Sequence, residues 1–279
     1  MNESLKAFLK RAGIYHGLHG RYRMFLLWLT IKRYRQRYAR YQGSGFTCNF
    51  CNATYSRFVP EWPDAHIASA IAQHEVIAGY DEHVYCPNCM SKNRERLIRA
   101  VIADRIELRG KDVLHFSPEK NLFRFLQTQA SVVTADISPG YYLTTDTNVK
   151  QADATSLNFA EKSFDLIVAN HILEHIPEDE KAMREFYRVL KPGGTAILQV
   201  PFSTVLNTTI EEPEINDPAK QEQLFGQRDH VRIYELNDYL RRLAAAGFET
   251  EPLYPQQLAK FQRFAVQEKE VVFLCHRAS

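Results

Sequence analysis

Four of the five cysteines stand as two knuckles, Cys48-Asn49-Phe50-Cys51 and Cys86-Pro87-Asn88-Cys89, and Cys275 is left over. Each C-x-x-C places two thiolates on one tight turn, and two such turns supply the four soft, tetrahedral ligands of a structural zinc site. Four thiolates close the coordination sphere, so the spacing predicts a zinc ion that stabilises the fold and takes no part in chemistry. A disulfide pair is the alternative, disfavoured in a chain without a secretion signal. Neither knuckle opens a helix within a thioredoxin-like pattern, which argues against a redox role.

Two further constellations could do chemistry. In His171-Ile172-Leu173-Glu174-His175 the i, i+4 spacing would put both imidazoles on one face of a helix. That invites a metal reading, yet the pattern is not H-E-x-x-H, and Glu174 and His175 read better as hydrogen-bonding the helix that follows. His171, at a strand end, is a pocket candidate. Near the C-terminal third, Asp229-His230-Val231-Arg232 offers His230 as a general base, Asp229 as its orienting partner and Arg232 as a contact for phosphate or carboxylate. A capped turn with a local Asp229–Arg232 ion pair is the bland alternative.

These residues need a scaffold, and the hydrophobic pattern supplies one. From Lys111 onward short β-like runs alternate with helical ones: DVLHF, NLFRFLQTQ, SVVTADI, FDLIVAN, a helix to Leu190, TAILQVP. Such alternation predicts parallel strands joined by crossover helices, a doubly wound α/β domain whose ligands bind beyond the carboxyl ends of the strands. Ser117, Glu119, Asp136, Asp153, Asn170 and His171 all fall at or after strand ends. After the second knuckle, MSKNRERLIRAVIADRIEL spaces Leu97, Ile98, Val101, Ile102 and Ile106 as a helix that carries the cysteine module onto this domain, with Arg94 and Arg96 at its start. The stretch from Phe202 to Arg228 reads as a polar insertion over the edge of the sheet, where lids and binding loops are common.

The segment QADATSLNFAEKSFDLIVANHILEHI, followed by a helix and RVLKPGG, resembles class I S-adenosylmethionine-dependent methyltransferases of the broad small-molecule (type 11) group. CPNC-x-S-x-N-R-x-R, VLHFSPE and FGQRDHVRIY are similar to a bacterial subgroup with an N-terminal cysteine module. The resemblance covers about residues 46 to 275. It implies a Rossmann-like, seven-stranded, mostly parallel sheet with the last strand antiparallel, EVVFLCHRA being the candidate, and S-adenosylmethionine as methyl donor. Carried over by position, Asp136 and its neighbour Ile137 would take the ribose, Asp153 and Ala154 the adenine, and Asn170 and His171 would border the methionine end. The sequence departs from the family where a glycine-rich turn usually follows the first strand, reading His115-Phe116-Ser117-Pro118-Glu119 instead. Ser117 as helix N-cap and Pro118 at the first helical position would let this turn's amides face the cofactor's carboxylate.

The resulting organisation is a basic, aromatic helical arm at 1–42, a zinc module with its connecting helix at 43–108, and a methyltransferase domain at 109–279 with an insertion at about 202–233. Composition agrees, since 45% apolar and 24% charged residues in 279 are ordinary for a globular protein and exclude a disordered or membrane-embedded chain. Charge is uneven. Up to Tyr41 there are ten Lys and Arg against a lone Glu3, a net of +9, so the +2 of the whole chain leaves about −7 for the body. The arm's longest apolar run, Phe25 to Ile31, falls far short of the ~20 residues that cross a bilayer, and no signal-peptide pattern is present. The expected setting is the cytoplasm, with the arm docked on the protein or meeting a membrane surface or membrane-bound partner, and nucleic acid a lesser prospect. The expected acceptor is a small molecule or glycan precursor. RNA methylation and a non-catalytic scaffold that keeps the fold are the rival readings.

Overall fold

A computed structural model describes residues 15–279 of the chain. The part of the arm before Tyr15 lies outside the described residues. A helix, α1 (Tyr15–Tyr38), leads into the cysteine module. There β1 (Gln42–Thr47) and β2 (Thr54–Tyr55) flank the first knuckle, and β3 (Val59–Glu61) pairs antiparallel with β4 (Asp81–Tyr85) around a short helix, α2 (Ala65–Gln73). The second knuckle follows β4 and opens directly into α3 (Asn93–Arg105). Lys92 at its start donates its amide to Glu95 at 2.7 Å, which satisfies one of the free donors of the first turn.

The remainder forms the doubly wound sheet. In chain order come β5 (Asp112–Phe116), α4 (Lys120–Leu126), β6 (Ser131–Asp136), β7 (Lys150–Gln151), β8 (Phe164–Asn170), α5 (Asp179–Val189) and β9 (Leu190–Gln199). The insertion contributes β10 (Phe202–Ser203), β11 (Ile210–Glu211), α6 (Pro218–Phe225) and β12 (Arg232–Glu235); α7 (Leu236–Ala245), β13 (Glu249–Leu253), α8 (Pro255–Leu258) and β14 (Val272–His276) close the chain. The sheet order is β13-β14-β9-β8-β5-β6-β7, parallel throughout except for β14, which runs antiparallel to both neighbours. This is the Rossmann-like methyltransferase order, and EVVFLCHRA is the antiparallel strand.

Side chains on the central strands alternate between two cores, as a strand's period of two requires. Leu114, Phe116, Ile167 and Ala169 face Met183 and Phe186 of α5 and Tyr239 and Leu243 of α7. Val113, Leu166 and Val168 face Leu97, Val101 and Ile102 of α3 and Leu122 and Leu126 of α4. Both faces are covered, so the strands read as unbroken apolar runs. α3 is therefore a layer of the doubly wound domain as well as the exit from the cysteine module, and it completes one of the two cores.

Arg96 fixes that junction. Its guanidinium is fully buried and donates to Val84 O (3.1 Å), Ser91 O (2.5 Å) and His83 O (2.9 Å) of the module and to Phe264 O and Ala265 O (both 2.6 Å) near the C-terminus. It also stacks over Phe58 at 4.7 Å. The insertion is likewise anchored, since Ile77 and Phe202 exchange backbone hydrogen bonds at 2.8 and 3.3 Å and His66 meets Glu222 of α6 at 3.1 Å. It is an ordered bridge to the cysteine module, where the sequence suggested a connection without regular structure. The arm crosses the second knuckle, with Arg35 donating to Asn88 O at 3.0 Å, and leaves Phe25 and Trp28 exposed. No helix among the described residues is long and apolar enough to cross a membrane.

Replacing Arg96 with Met should lower unfolding free energy by about 3–5 kcal/mol, because buried carbonyls lose a charged donor. Urea titration followed by circular dichroism checks this; an unchanged midpoint would show that packing alone holds the junction.

Candidate active site

β5 and β8 lie side by side and each leaves the sheet on a non-glycine residue with left-handed backbone, Ser117 (φ 49°) and His171 (φ 55°). Such backbone costs a side chain of order 1–2 kcal/mol, and local bonds offset it. Ser117 N donates to Ala135 O at 2.8 Å and its hydroxyl to Asp136 Oδ2 at 2.6 Å; His171 N donates to Gln199 O at 2.7 Å. The missing glycine is thus replaced by a serine whose side chain steadies the acidic residue at the end of β6. The helix starts later than the sequence suggested, at Lys120 with Glu119 before it, so Ser117 is not its N-cap and its amide is spent on the sheet.

Between these ends lies a cavity of about 540 Å³ lined by Phe116, Ser117, Glu119, Asp136, Ile137, Asp153, Ala154, Asn170, His171 and Asp229 of the expected residues, within the ~300–1,000 Å³ usual for small-molecule sites. Asp136 Oδ1 accepts from Ser138 N at 2.6 Å, and a carboxylate with about four acceptor positions retains capacity for hydroxyl donors. Asp153 Oδ1 accepts from Thr155 N and Oγ1 at 2.8 and 2.9 Å. Ile137 and Tyr141 leave 60% and 71% of their surface exposed beside the cavity, apolar faces that a planar ring can cover. Burial, with the Asp136 charge nearby, pushes the Tyr142 phenol up to about 12, so it remains a donor.

Glu119 is the hub of the cavity floor. Its Oε1 accepts from Asn170 Nδ2 at 3.0 Å and its Oε2 meets His115 Nε2 at 2.8 Å. Burial favours the neutral acid, but the interactions with His115 and Asn170 outweigh it and hold this carboxyl below its ordinary range. His115 itself is fully buried and supports Glu119 from behind; it does not line the cavity. Two polar atoms at the cavity's lining residues are buried without a partner, Asn170 Oδ1 and Arg94 Nε. Arg94 enters from the first turn of α3, so the cysteine module contributes directly to the cavity.

On the side of the insertion the structure redistributes the expected partners. Arg232 is not a substrate contact: it is 1% exposed, and its guanidinium donates to Leu173 O (2.9 Å), Ile176 O, Pro177 O (2.9 Å) and Glu211 Oε2 (3.0 Å). Asp229 pairs with His175, at 3.4 Å from Nδ1, rather than with His230. His230 is buried and does not line the cavity, whereas His175 does. The H-I-L-E-H segment is a 3-10 turn, Leu173–His175, that turns Glu174 inward among three imidazoles. Burial works to raise the Glu174 carboxyl, yet His171, 3.5 Å away, and the neighbouring imidazoles hold it at about 2. Burial, together with Arg94, lowers His171. Ser138, Tyr141, Tyr142, Ile172 and Ile176 also line the cavity; sequence reasoning passed over them, and the aromatic pair three residues beyond Ser138 was the signal available.

The cysteines converge as their spacing requires. Cys48 Sγ lies 3.6 Å from Cys89 Sγ and Cys51 Sγ lies 3.7 Å from Cys86 Sγ, with no disulfide among them. A thiolate tetrahedron around zinc, with Zn–S near 2.3 Å, has edges of about 3.8 Å. The two knuckles are copies of one turn: Asn52 N donates to Cys48 O and Met90 N to Cys86 O, both at 2.8 Å, and Asn52 and Met90 both have positive φ.

Residues 117–198 match a family model described as a methyltransferase domain. With the sheet order above, the chain carries a class I methyltransferase domain of Rossmann-like fold. It is similar to the ubiquinone/menaquinone biosynthesis C-methyltransferase UbiE of Pasteurella multocida, 29% identical over 122 residues, 38% of this chain and 44% of that protein. It is also similar to an arsenite methyltransferase of Aquipseudomonas alcaligenes, 31% identical over 118 residues, 42% of this chain and 32% of that one. The chain thus spans less than half the length of these curated relatives. Among solved structures, an S-adenosylmethionine-dependent methyltransferase from Mesorhizobium loti aligns with a TM-score of 0.47 at 18% identity, covering 64% of this chain and 96% of that one.

The Ser117 geometry predicts an order of stabilities. Ser117→Ala keeps the strained backbone and loses the bond to Asp136, whereas Ser117→Gly relaxes the strain, so the glycine variant should be the more stable by about 1 kcal/mol. Paired denaturant titrations read this directly; an alanine variant as stable as glycine would mean that residue 117 is not left-handed.

Proposed function

We propose that this chain is an S-adenosylmethionine-dependent methyltransferase acting on a small-molecule acceptor, and that a zinc ion bound by Cys48, Cys51, Cys86 and Cys89 holds its N-terminal module together. The observation that carries the reading is the composition of the cavity at the carboxyl edge of the sheet. The donor set fits the cofactor: Asp136 can accept from ribose hydroxyls, Asp153 beside Ala154 can accept an adenine amine, and the unpartnered Asn170 Oδ1 and Arg94 Nε suit an ammonium and a carboxylate. Carboxylates at Glu119, Asp136 and Asp153 also suit a molecule with a sulfonium charge. When bound, the cofactor supplies an electrophilic methyl group.

The chain's own residues have the remaining tasks. Methyl transfer is a displacement that depends on alignment of acceptor and donor, so the main duty of the cavity walls is to fix both. Ser117 and Ser138 hold Asp136 in one orientation, and His115 and Asn170 hold Glu119. His171, on the wall between the β8 end and the insertion, is the imidazole placed to take a proton from a hydroxyl or amine acceptor. The insertion, anchored to the cysteine module, closes the acceptor side through Asp229. A cavity of about 540 Å³ shared by cofactor and acceptor favours a small acceptor over a polymer.

Calorimetric titration of the zinc-loaded protein with S-adenosylhomocysteine should give micromolar binding that Asp136→Ala weakens by at least about tenfold, some 1.4 kcal/mol. Absence of binding to wild type would favour a non-catalytic scaffold. For the module, Cys86→Ser should reduce zinc, measured by elemental analysis, well below one ion per chain and lower the melting temperature; full zinc retention would overturn the four-cysteine assignment.

A further inference from the structure

Behind the cavity wall formed by His171, His175 and Asp229 lies a buried cluster of one carboxylate and three imidazoles. The Glu174 side chain is 1% exposed, and neither carboxylate oxygen has a hydrogen-bond partner. Three imidazole nitrogens surround Oε1: His171 Nδ1 at 3.5 Å, His230 Nε2 at 3.9 Å and His175 Nε2 at 4.0 Å. His230 Nε2 is itself buried and unpartnered. Buried polar atoms nearly always have partners, and leaving a carboxylate without donors costs several kcal/mol. Here one carboxylate oxygen and a lone-pair nitrogen face each other across a gap too wide for a hydrogen bond and suited to a shared third body.

We infer that Glu174, His175 and His230 hold a divalent first-row metal ion, distinct from the cysteine-bound one, at the cavity wall where His175 stands. Their ligand atoms lie within 4.8 Å of one another. Two imidazoles and a carboxylate are a donor set for Zn²⁺, Mn²⁺, Co²⁺ or Fe²⁺. Bonds of about 2.1 Å at tetrahedral angles place ligands about 3.4 Å apart, so Glu174 Oε1 closes on each of the two imidazoles by roughly half an ångström on binding. The outer contact is already in place: His175 Nδ1 faces Asp229 O at 3.2 Å and Asp229 Oδ1 at 3.4 Å, which leaves Nε2 to face the ion. Three protein ligands leave coordination positions open; of the three, His175 lines the cavity beside His171 and Asp229, and Glu174 and His230 stand behind it.

On the methyltransferase reading, an open position on the His175 side of the ion defines the acceptor class. A small molecule with two adjacent oxygens, such as a vicinal diol, a catechol or a hydroxy acid, can chelate the ion and present one oxygen towards the donor; the metal also favours the ionised form of a bound hydroxyl. The ion site itself stands or falls independently of the cofactor.

The test uses the full zinc-loaded chain titrated with Mn²⁺, with free Mn²⁺ read by electron paramagnetic resonance, because a closed thiolate site does not take this hard ion. The expected result is one Mn²⁺ per chain with a Kd below about 100 µM, weakened at least about tenfold by Glu174→Gln and by His175→Gln. Glu174 is buried, so the half-exposed His175 variant keeps the test valid if the first does not fold. S-adenosylhomocysteine titration of the same samples separates the two readings. Mn²⁺ binding without nucleoside binding would leave the ion site standing and remove the methyltransferase role. Nucleoside binding with no Mn²⁺ bound at about 1 mM, or equal Mn²⁺ affinity in wild type and folded variants, would overturn the ion site.

Discussion

Arg96 joins two stretches far apart in sequence, and one wall of the cavity stands beside that junction. Its guanidinium ties the second knuckle to the loop before the last strand and pins the first turn of α3 against the sheet. A buried guanidinium needs its donors satisfied, and backbone carbonyls from two sides supply the acceptors. Two residues earlier on the same helix turn, Arg94 lines the cavity with its Nε unpartnered. Whatever steadies the cysteine module therefore steadies one wall of the site.

A second constraint acts at the carboxyl edge of the sheet. Neighbouring parallel strands must release the chain within a few residues of each other, and β5 and β8 do so on Ser117 and His171, both left-handed. Here the serine hydroxyl binds Asp136, so the strain and the orientation of that carboxylate are coupled in one contact. The same economy recurs at Glu174, where a tight 3-10 turn buries a carboxylate among imidazoles supplied by β8, the turn itself and the insertion.

Much of this was legible in the sequence, and the reason is locality. Strand–helix alternation fixed which residues end strands, and eight of the nine residues expected at the cofactor do line one cavity; His115 points to the opposite face because strand side chains alternate. The two knuckles could be paired by spacing alone. What could not be read was partner choice across the insertion. Asp229 is next to His230 in sequence but meets His175 in space, and Arg232, which looked like an exposed anion contact, is enclosed by four acceptors from the Leu173–Pro177 turn and Glu211. Sequence adjacency says little where the chain turns twice in ten residues. Nor could periodicity show that the 202–233 stretch is bridged to the cysteine module through Ile77 and Phe202.

The most direct test of the account is a crystal structure of the zinc-loaded protein with S-adenosylhomocysteine. The account predicts the ribose against Asp136, the adenine beside Asp153 and Ile137, and the amino-acid end between Asn170 and Arg94. Density for the nucleoside in the groove of about 430 Å³ between the arm and the second knuckle, lined by Arg35, Lys92 and Arg124, with an empty cavity at Asp136, would contradict it.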